Sequence, residues 1–258
     1  VGAGSAGCVL ANRLSADPGA SVLLIEAGGP DRNPFIHMPA GLAKLVNRKG
    51  VNWNYDTAPE PQLDGRMLWW PRGKVLGGCS AINAMCYTRG QPQDYDDWET
   101  DGAAGWSWQD VLPWFRKAEN NERGEDAFHG VGGPLNVADL RYRNVLSDAF
   151  IEAASAAGHR VNADFNGPAQ EGAGLYQVTQ INGQRCSAAT AYLKPVRTRA
   201  NLHIVTGAMA TRIETHAGRA IAVHYQRGRR EHRVAANREI LLSGGAINSP
   251  QLLLLSGI

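Results

Sequence analysis

The sequence predicts an α/β fold, a parallel sheet wound on both faces by helices, and three stretches carry that prediction. The first is a glycine turn, Gly2-Ala3-Gly4-Ser5-Ala6-Gly7, that runs straight into the small and apolar residues Cys8 to Leu14. The second is the apolar run Ser21 to Glu26, which ends on a carboxylate. The third is Glu239 to Ser243, an apolar run entering Gly244-Gly245, with a helix expected from Pro250 onward. Apolar strands that feed glycine turns and helices belong to a parallel sheet buried on both faces.

The elements follow in chain order. Cys8 to Leu14 reads as a close-packed helix that Asp17-Pro18-Gly19 ends. From Gly28 to Pro71 the chain is rich in Pro, Gly, Asn and Trp without a sustained period. Its aromatic residues need burial, so it reads as an ordered excursion. A glycine-dense stretch, Gly73 to Ser80, leads into an expected helix over Ala81 to Met85. Trp106 to Ala118 is amphipathic with Ser107 as N-cap, and Asn144 to Ala157 is a second amphipathic helix closed by Gly158. Strands are expected at Gly172 to Thr179, Leu202 to Val205, Ala208 to Thr215, Ala220 to Gln226 and Arg233 to Ala235. One domain over 1–258 is expected, with substrate-side excursions at about 28–71 and 140–200.

Composition narrows the function. Of 258 residues, 43% are hydrophobic and 19% charged, which suits a globular enzyme with a real core and argues against disorder. The net charge of +2 is mixed along the chain, and the basic run Arg227 to Arg233 lies between strands. It reads as a solvated turn, so no nucleic-acid partner is expected. The longest apolar run, Gln251 to Ile258, is too short for a bilayer, so no transmembrane segment is expected. Cysteines at 8, 79, 86 and 186 form no CxxC pair, and no histidine cluster has metal-ligand spacing. No metal and no disulfide framework are expected, which favours a reducing, cytoplasmic setting. Cys8, among small helix residues, reads as a buried thiol. The chain opens at Val1 directly on a glycine turn, and it reads as a piece cut at both ends.

Gly2 to Gly7 match Gly-x-Gly-x-x-Gly, a weak pattern alone and a stronger one in this context. The first glycine permits the strand-to-helix turn, the second lets backbone approach a pyrophosphate, and the third lets helix and strand pack closely. Free N–H groups at the helix N-terminus, with Ser5 and Ala6, then face the phosphates. Glu26 ends the next strand nineteen residues past Gly7, with Ala27 beside it. A carboxylate there accepts from ribose hydroxyls and repels a 2′-phosphate, so a dinucleotide with an unphosphorylated adenosine ribose is expected on a Rossmann-like sheet. The spacing leaves NAD and FAD both open.

Longer motifs choose between them. Arg72-Gly73-Lys74-Val75-Leu76-Gly77-Gly78-Cys79-Ser80-Ala81-Ile82-Asn83-Ala84-Met85-Cys86-Tyr87-Thr88-Arg89-Gly90 resembles the first signature of the glucose–methanol–choline (GMC) oxidoreductases. Gly245-Ala246-Ile247-Asn248-Ser249-Pro250-Gln251 and the leucines after it are similar to the second. Asp94 to Trp98, Phe128-His129-Gly130, Gly133-Pro134-Leu135, Arg185-Cys186-Ser187 and Ala191-Tyr192-Leu193 resemble further landmarks in the same order. The resemblance implies FAD. Arg72, Gly77 and Gly78 would bring the backbone against pyrophosphate or flavin, and Ser80 and Asn83 would offer neutral hydrogen-bonding groups. Val75 and the run Asn83, Ala84, Met85 and Cys86 would contact the isoalloxazine and ribityl chain. A turn at Ala210 would meet adenine, and Gly245 the diphosphate. Some family members attach FAD through a His just before the Asn; Ile82 stands there, which implies non-covalent FAD.

The resemblance further implies oxidation of an alcohol CH–OH group with hydride passing to flavin N5, using a His base from the family's C-terminal part. The chain's histidines, at 37, 129, 159, 203, 216, 224 and 232, are scattered, and none is assigned as that base. No catalytic residue is assigned, and the piece alone is expected to be inactive and poorly soluble. A small-molecule alcohol is the expected partner, with the electron acceptor open. A hydroxynitrile lyase of the same fold and a non-enzymatic flavin-binding remnant are the alternatives.

Overall fold

In the computed structural model, which describes residues 1–46 and 48–258, helix α1 (Ser5–Leu14) starts directly from the glycine turn. Gly2 has φ +94°, and a Cβ there would lie 2.4 Å from the carbonyl oxygen of Ser243. Gly7 lies against the carbonyl of Gly2, where a Cβ would come within 1.8 Å. Both glycines are thus required by the protein's own packing. Cys8 and Ala11 are buried on the inner face of α1, and the Cys8 thiol donates to the Ala3 carbonyl at 3.2 Å. Burial pushes that thiol up to about 12.

The described residues form two compact units, one of Val1–Ala84 with Ser187–Ile258 and one of Met85–Cys186. In the first, β1 (Val22–Glu26) pairs in parallel with β2 (Leu202–Thr206), Val22 opposite Leu202 and Glu26 opposite Thr206. An antiparallel meander follows, β3 (Ala208–His216), β4 (Arg219–Arg227) and β5 (Arg230–Ala235), with the basic run at the tip between β4 and β5. Ile25, Ala208 and Val223 form a core where the parallel pair meets the meander, with Val1, Val205, Tyr225 and Ile240 packed around it. Helix α2 (Gly245–Leu255) closes the unit, and the amide of Ile213 donates to Ser256 Oγ at its end.

Several elements differ from expectation. Glu239 to Ser243 is not a regular strand. Its hydrogen bonds go to a single residue, since the Val1 amine donates to Leu241 O and the Ser243 amide donates to Val1 O. Gly2 N in turn donates to Ile25 O, so Val1 and Gly2 stand between β1 and this segment. Helix α2 starts at Gly245 and carries Pro250 in its interior, where it removes one helical hydrogen bond. Ala81 to Met85 is not a helix: a 3₁₀ turn covers Gly78–Ala81, and Met85 has φ +66°. Ala210 lies in β3, not in a turn, at a register irregularity between Ala210 and Arg212. The 28–71 excursion is ordered by short helices at Pro34–His37 and Leu42–Leu45 and by a pairing of Tyr55–Asp56 with Trp69–Trp70.

The second unit holds helices Pro92–Thr100, Trp108–Ala118 and Val145–Ala156, the last two capped by Ser107 and Asn144. Of the strand expected over Gly172 to Thr179, only Gln177–Val178 forms, paired with Cys86–Tyr87. Its interior is polar. Glu119, fully buried, pairs with Arg89 at 2.7 Å and with His129 Nδ1 at 3.1 Å, while His129 Nε2 meets Asp164 at 2.9 Å. Asn121 joins Glu119, His129 and Gln177 within the same network. Hydrogen bonds to Asp164 and Glu119 raise the imidazole of His129 to about 9, favouring its charged form between two carboxylates. No helix among the described residues is long and apolar enough to cross a membrane.

Candidate dinucleotide site

The first unit contains a cavity of about 1000 Å³, at the upper end of the roughly 300–1,000 Å³ common for small-molecule and cofactor sites. Its walls come from six stretches of the chain. Gly2, Gly4, Ser5 and Ala6 supply the N-terminus of α1, and Gly244, Gly245, Ala246 and Ile247 supply the N-terminus of α2. Helix N-termini carry unpaired N–H groups and partial positive charge, and here two of them border one space. Arg72 is the only Lys or Arg side chain in the lining, its guanidinium set over the Trp70 ring at 5.4 Å. Glu26, Ala27 and Ala210 line another part.

The two glycine clusters meet at this cavity. Gly77 N donates to Ala3 O at 2.8 Å, and a Cβ on Gly78 would lie 2.6 Å from Gly4 Cα. Gly78 also has φ +53°, so both conformation and contact require glycine there. Gly4 is different, since a Cβ there would meet nothing nearer than 4.0 Å; at Gly245 a Cβ would meet nothing within 4 Å, although its φ of +84° also favours glycine. Bare backbone at these two positions faces open space in the cavity wall, which is what a bound diphosphate needs for close approach.

Glu26 is only 6% exposed. Its Oε2 accepts from Ala3 N and its Oε1 from Gly28 N, both at 2.8 Å, which fixes the carboxylate relative to the turn. Burial raises its pKa, opposed by these two amides and by the charges of Lys74 and the N-terminus. Each oxygen retains a lone pair for a ribose hydroxyl.

Eight of the residues expected at the cofactor do not line the cavity. Gly7 and Gly77 stand behind the turn as packing positions. Val75 and Ile82 are buried in a core with Ile36, Leu45 and Val51. Ser80 Oγ donates to Gly77 O and accepts from Ala188 N. Asn83 and Ala84 are exposed beyond the 3₁₀ turn, and Met85 and Cys86 open the second unit. Missed by sequence reasoning were Trp53, Tyr55, Cys79 and Asn248, all in the lining. The excursion that supplies Trp53 and Tyr55 has no period to read, and Tyr55 meets Asn248 only through the fold. No histidine lines the cavity among the described residues. His129 is tied into the polar network, His37 Nε2 lies 2.7 Å from Asp31 O, and His224 Nε2 lies 2.7 Å from Glu214.

Two helix N-termini, one arginine and a strand-end carboxylate around a single cavity define a dinucleotide-binding α/β domain. Comparison with known proteins gives that class its family. The GMC oxidoreductase family model matches residues 1–258, and the chain belongs to the GMC oxidoreductases, flavoproteins that use FAD. It is 50% identical over 261 residues to an alcohol dehydrogenase [acceptor] of Pseudomonas putida, covering 100% of this chain and 47% of that one. Against an oxygen-dependent choline dehydrogenase of Rhizobium etli it is 50% identical over 258 residues, with the same coverages. The crystal structure of pyridoxine 4-oxidase from Mesorbium loti superposes with a TM-score of 0.94 at 38% identity, covering 100% of this chain and 51% of that chain. The chain therefore spans about half the length of the curated relatives it matches.

Proposed function

We propose that this chain binds FAD non-covalently in the cavity and forms the flavin-binding part of an oxidoreductase acting on the CH–OH group of a small alcohol. The observation that carries the binding is the pair of bare glycines, Gly4 and Gly245, at two helix N-termini that border one space. The N–H groups of Ser5, Ala6 and Ala246 would donate to the diphosphate, and Arg72 would offset its charge. Glu26 would accept from the adenosine ribose and exclude a 2′-phosphate. The backbone of β3 at Ala210 would flank the adenine. Gly78 would let the flavin side of the cofactor pass close to the turn.

Bound there, FAD supplies the hydride acceptor, at flavin N5. The chain's own part would be to hold the dinucleotide and to keep negative side chains other than Glu26 out of the lining, which contains no Asp and no second Glu. The family resemblance implies a His base from the family's C-terminal part for removal of the hydroxyl proton, and the histidines among the described residues do not line the cavity. The relatives' names, an alcohol dehydrogenase and a choline dehydrogenase, support an alcohol as substrate.

Non-covalent attachment is supported by the family resemblance: members that attach FAD do so through a His just before the Asn, where this chain has Ile82, 4% exposed and packed in an aliphatic core. Precipitating the flavin-loaded protein with acid should leave all yellow colour in the supernatant; flavin retained on the pellet would overturn this. The substrate class is tested by anaerobic mixing of the loaded full-length protein with simple alcohols. Bleaching of the flavin absorbance is expected, and an unchanged spectrum with every alcohol, choline included, would sink the assignment.

A further inference from the structure

Two side chains in the cavity lining, far apart in sequence, are joined by a hydrogen bond that the binding scheme above does not use. Asn248 Nδ2, on α2, donates to Tyr55 Oη in the excursion at 2.7 Å, across 193 residues of sequence. Both residues line the cavity. Neither wall is loose. Tyr55 stacks on Trp53 with centroids 5.7 Å apart and rings nearly parallel, and Lys74 Nζ lies over Trp53 at 4.2 Å. The backbone of Tyr55 pairs with Trp70, and Trp53 N donates to Arg72 O. On the other side, Asn248 stands one turn into α2, just past Gly245, and its amide also reaches Gln251.

The bond therefore ties the wall that carries Arg72 and Gly73 to the wall that carries Gly244 and Gly245. Under the FAD assignment, on which this inference rests, both walls face the diphosphate. A dinucleotide with a bulky ring system at each end has to pass between them. We infer that Tyr55 and Asn248 form a clasp over the cofactor, and that breaking their hydrogen bond is part of both the entry and the exit of the dinucleotide. A contact that merely stabilises bound FAD slows release alone; a clasp slows release and uptake together.

The test compares Tyr55→Phe, Asn248→Ala and the double variant in the full-length protein, with FAD as the probe. Uptake by apoprotein and release into excess riboflavin-binding protein are each followed by flavin fluorescence. Wild type that holds no FAD would overturn the cofactor assignment itself, a result separate from this one. Given FAD in the wild type, both rates should rise in each single variant by roughly threefold to tenfold, the factor matching one neutral hydrogen bond. The double variant should be no faster than the faster single, as expected for two partners of one bond. Faster release with unchanged uptake, or no change in either rate, would overturn the clasp. Should Tyr55→Phe fail to fold, Asn248→Ala reports on the same bond from a half-buried helix position.

Discussion

Gly2 and Gly4 stand two residues apart and answer to different demands. At Gly2 a side chain would strike the Ser243 carbonyl, and φ is +94°; at Gly4 the backbone is extended, at φ −74° and ψ −163°, and the protein leaves room. Gly2→Ala should cost at least about 3 kcal/mol of unfolding free energy, from strain plus overlap with backbone. Gly4→Ala should stay within about 1 kcal/mol of wild type in the same denaturant titration, yet weaken FAD binding on the order of a hundredfold, about 2.7 kcal/mol. If the two substitutions change stability equally, Gly4 is a packing glycine and the diphosphate lies elsewhere. Gly78 belongs with Gly2, because its Cβ would meet Gly4 Cα.

At the level of elements, the second unit depends on charge. Glu119 and Asp164 flank His129 in a nearly dry interior, and the imidazole is lifted to about 9. A histidine raised above its unfolded value of about 6.5 stabilises the fold fully below that value. Its contribution is lost as pH climbs through 9. Stability should thus fall by on the order of 3 kcal/mol between pH 6.5 and 9, and His129→Gln should flatten the profile over that window. An unchanged slope in the variant would show that His129 is neutral in the fold. The cap of helix Trp108–Ala118 is a smaller effect: Ser107 Oγ accepts from Asp110 N, and Ser107→Ala should cost about 1 kcal/mol in thermal or chemical unfolding.

How far these elements were legible depends on how local their cause is. Helix α1, β1, the meander and both N-caps follow from neighbouring residues, and all fall within a few positions of where pattern and capping place them. The expected helix over Ala81 to Met85 failed because Gly77, Gly78 and Met85 take positive φ, which apolar content does not reveal. Glu239 to Ser243 has a strand's composition, and among the described residues its backbone hydrogen bonds are to Val1. Of the site, the glycines and Glu26 were readable because a diphosphate and a ribose dictate those residue types. Tyr55 and Asn248 were not, since their bond is made by the fold alone.

For the molecule as a whole, the account rests on two glycine clusters, at Gly2–Gly7 and Gly77–Gly78, that meet at one cavity bordered by the N-termini of α1 and α2. Composition, the caps and the polar network would be unchanged whichever dinucleotide bound; the cavity and the family separate the candidates. The most direct measurement is titration of apoprotein with FAD and, in parallel, with NAD, read by isothermal calorimetry. Saturable binding of one FAD per chain, weakened on the order of a hundredfold in Gly4→Ala, with no heat from NAD, is the predicted result. Apoprotein that takes up NAD and ignores FAD would contradict it.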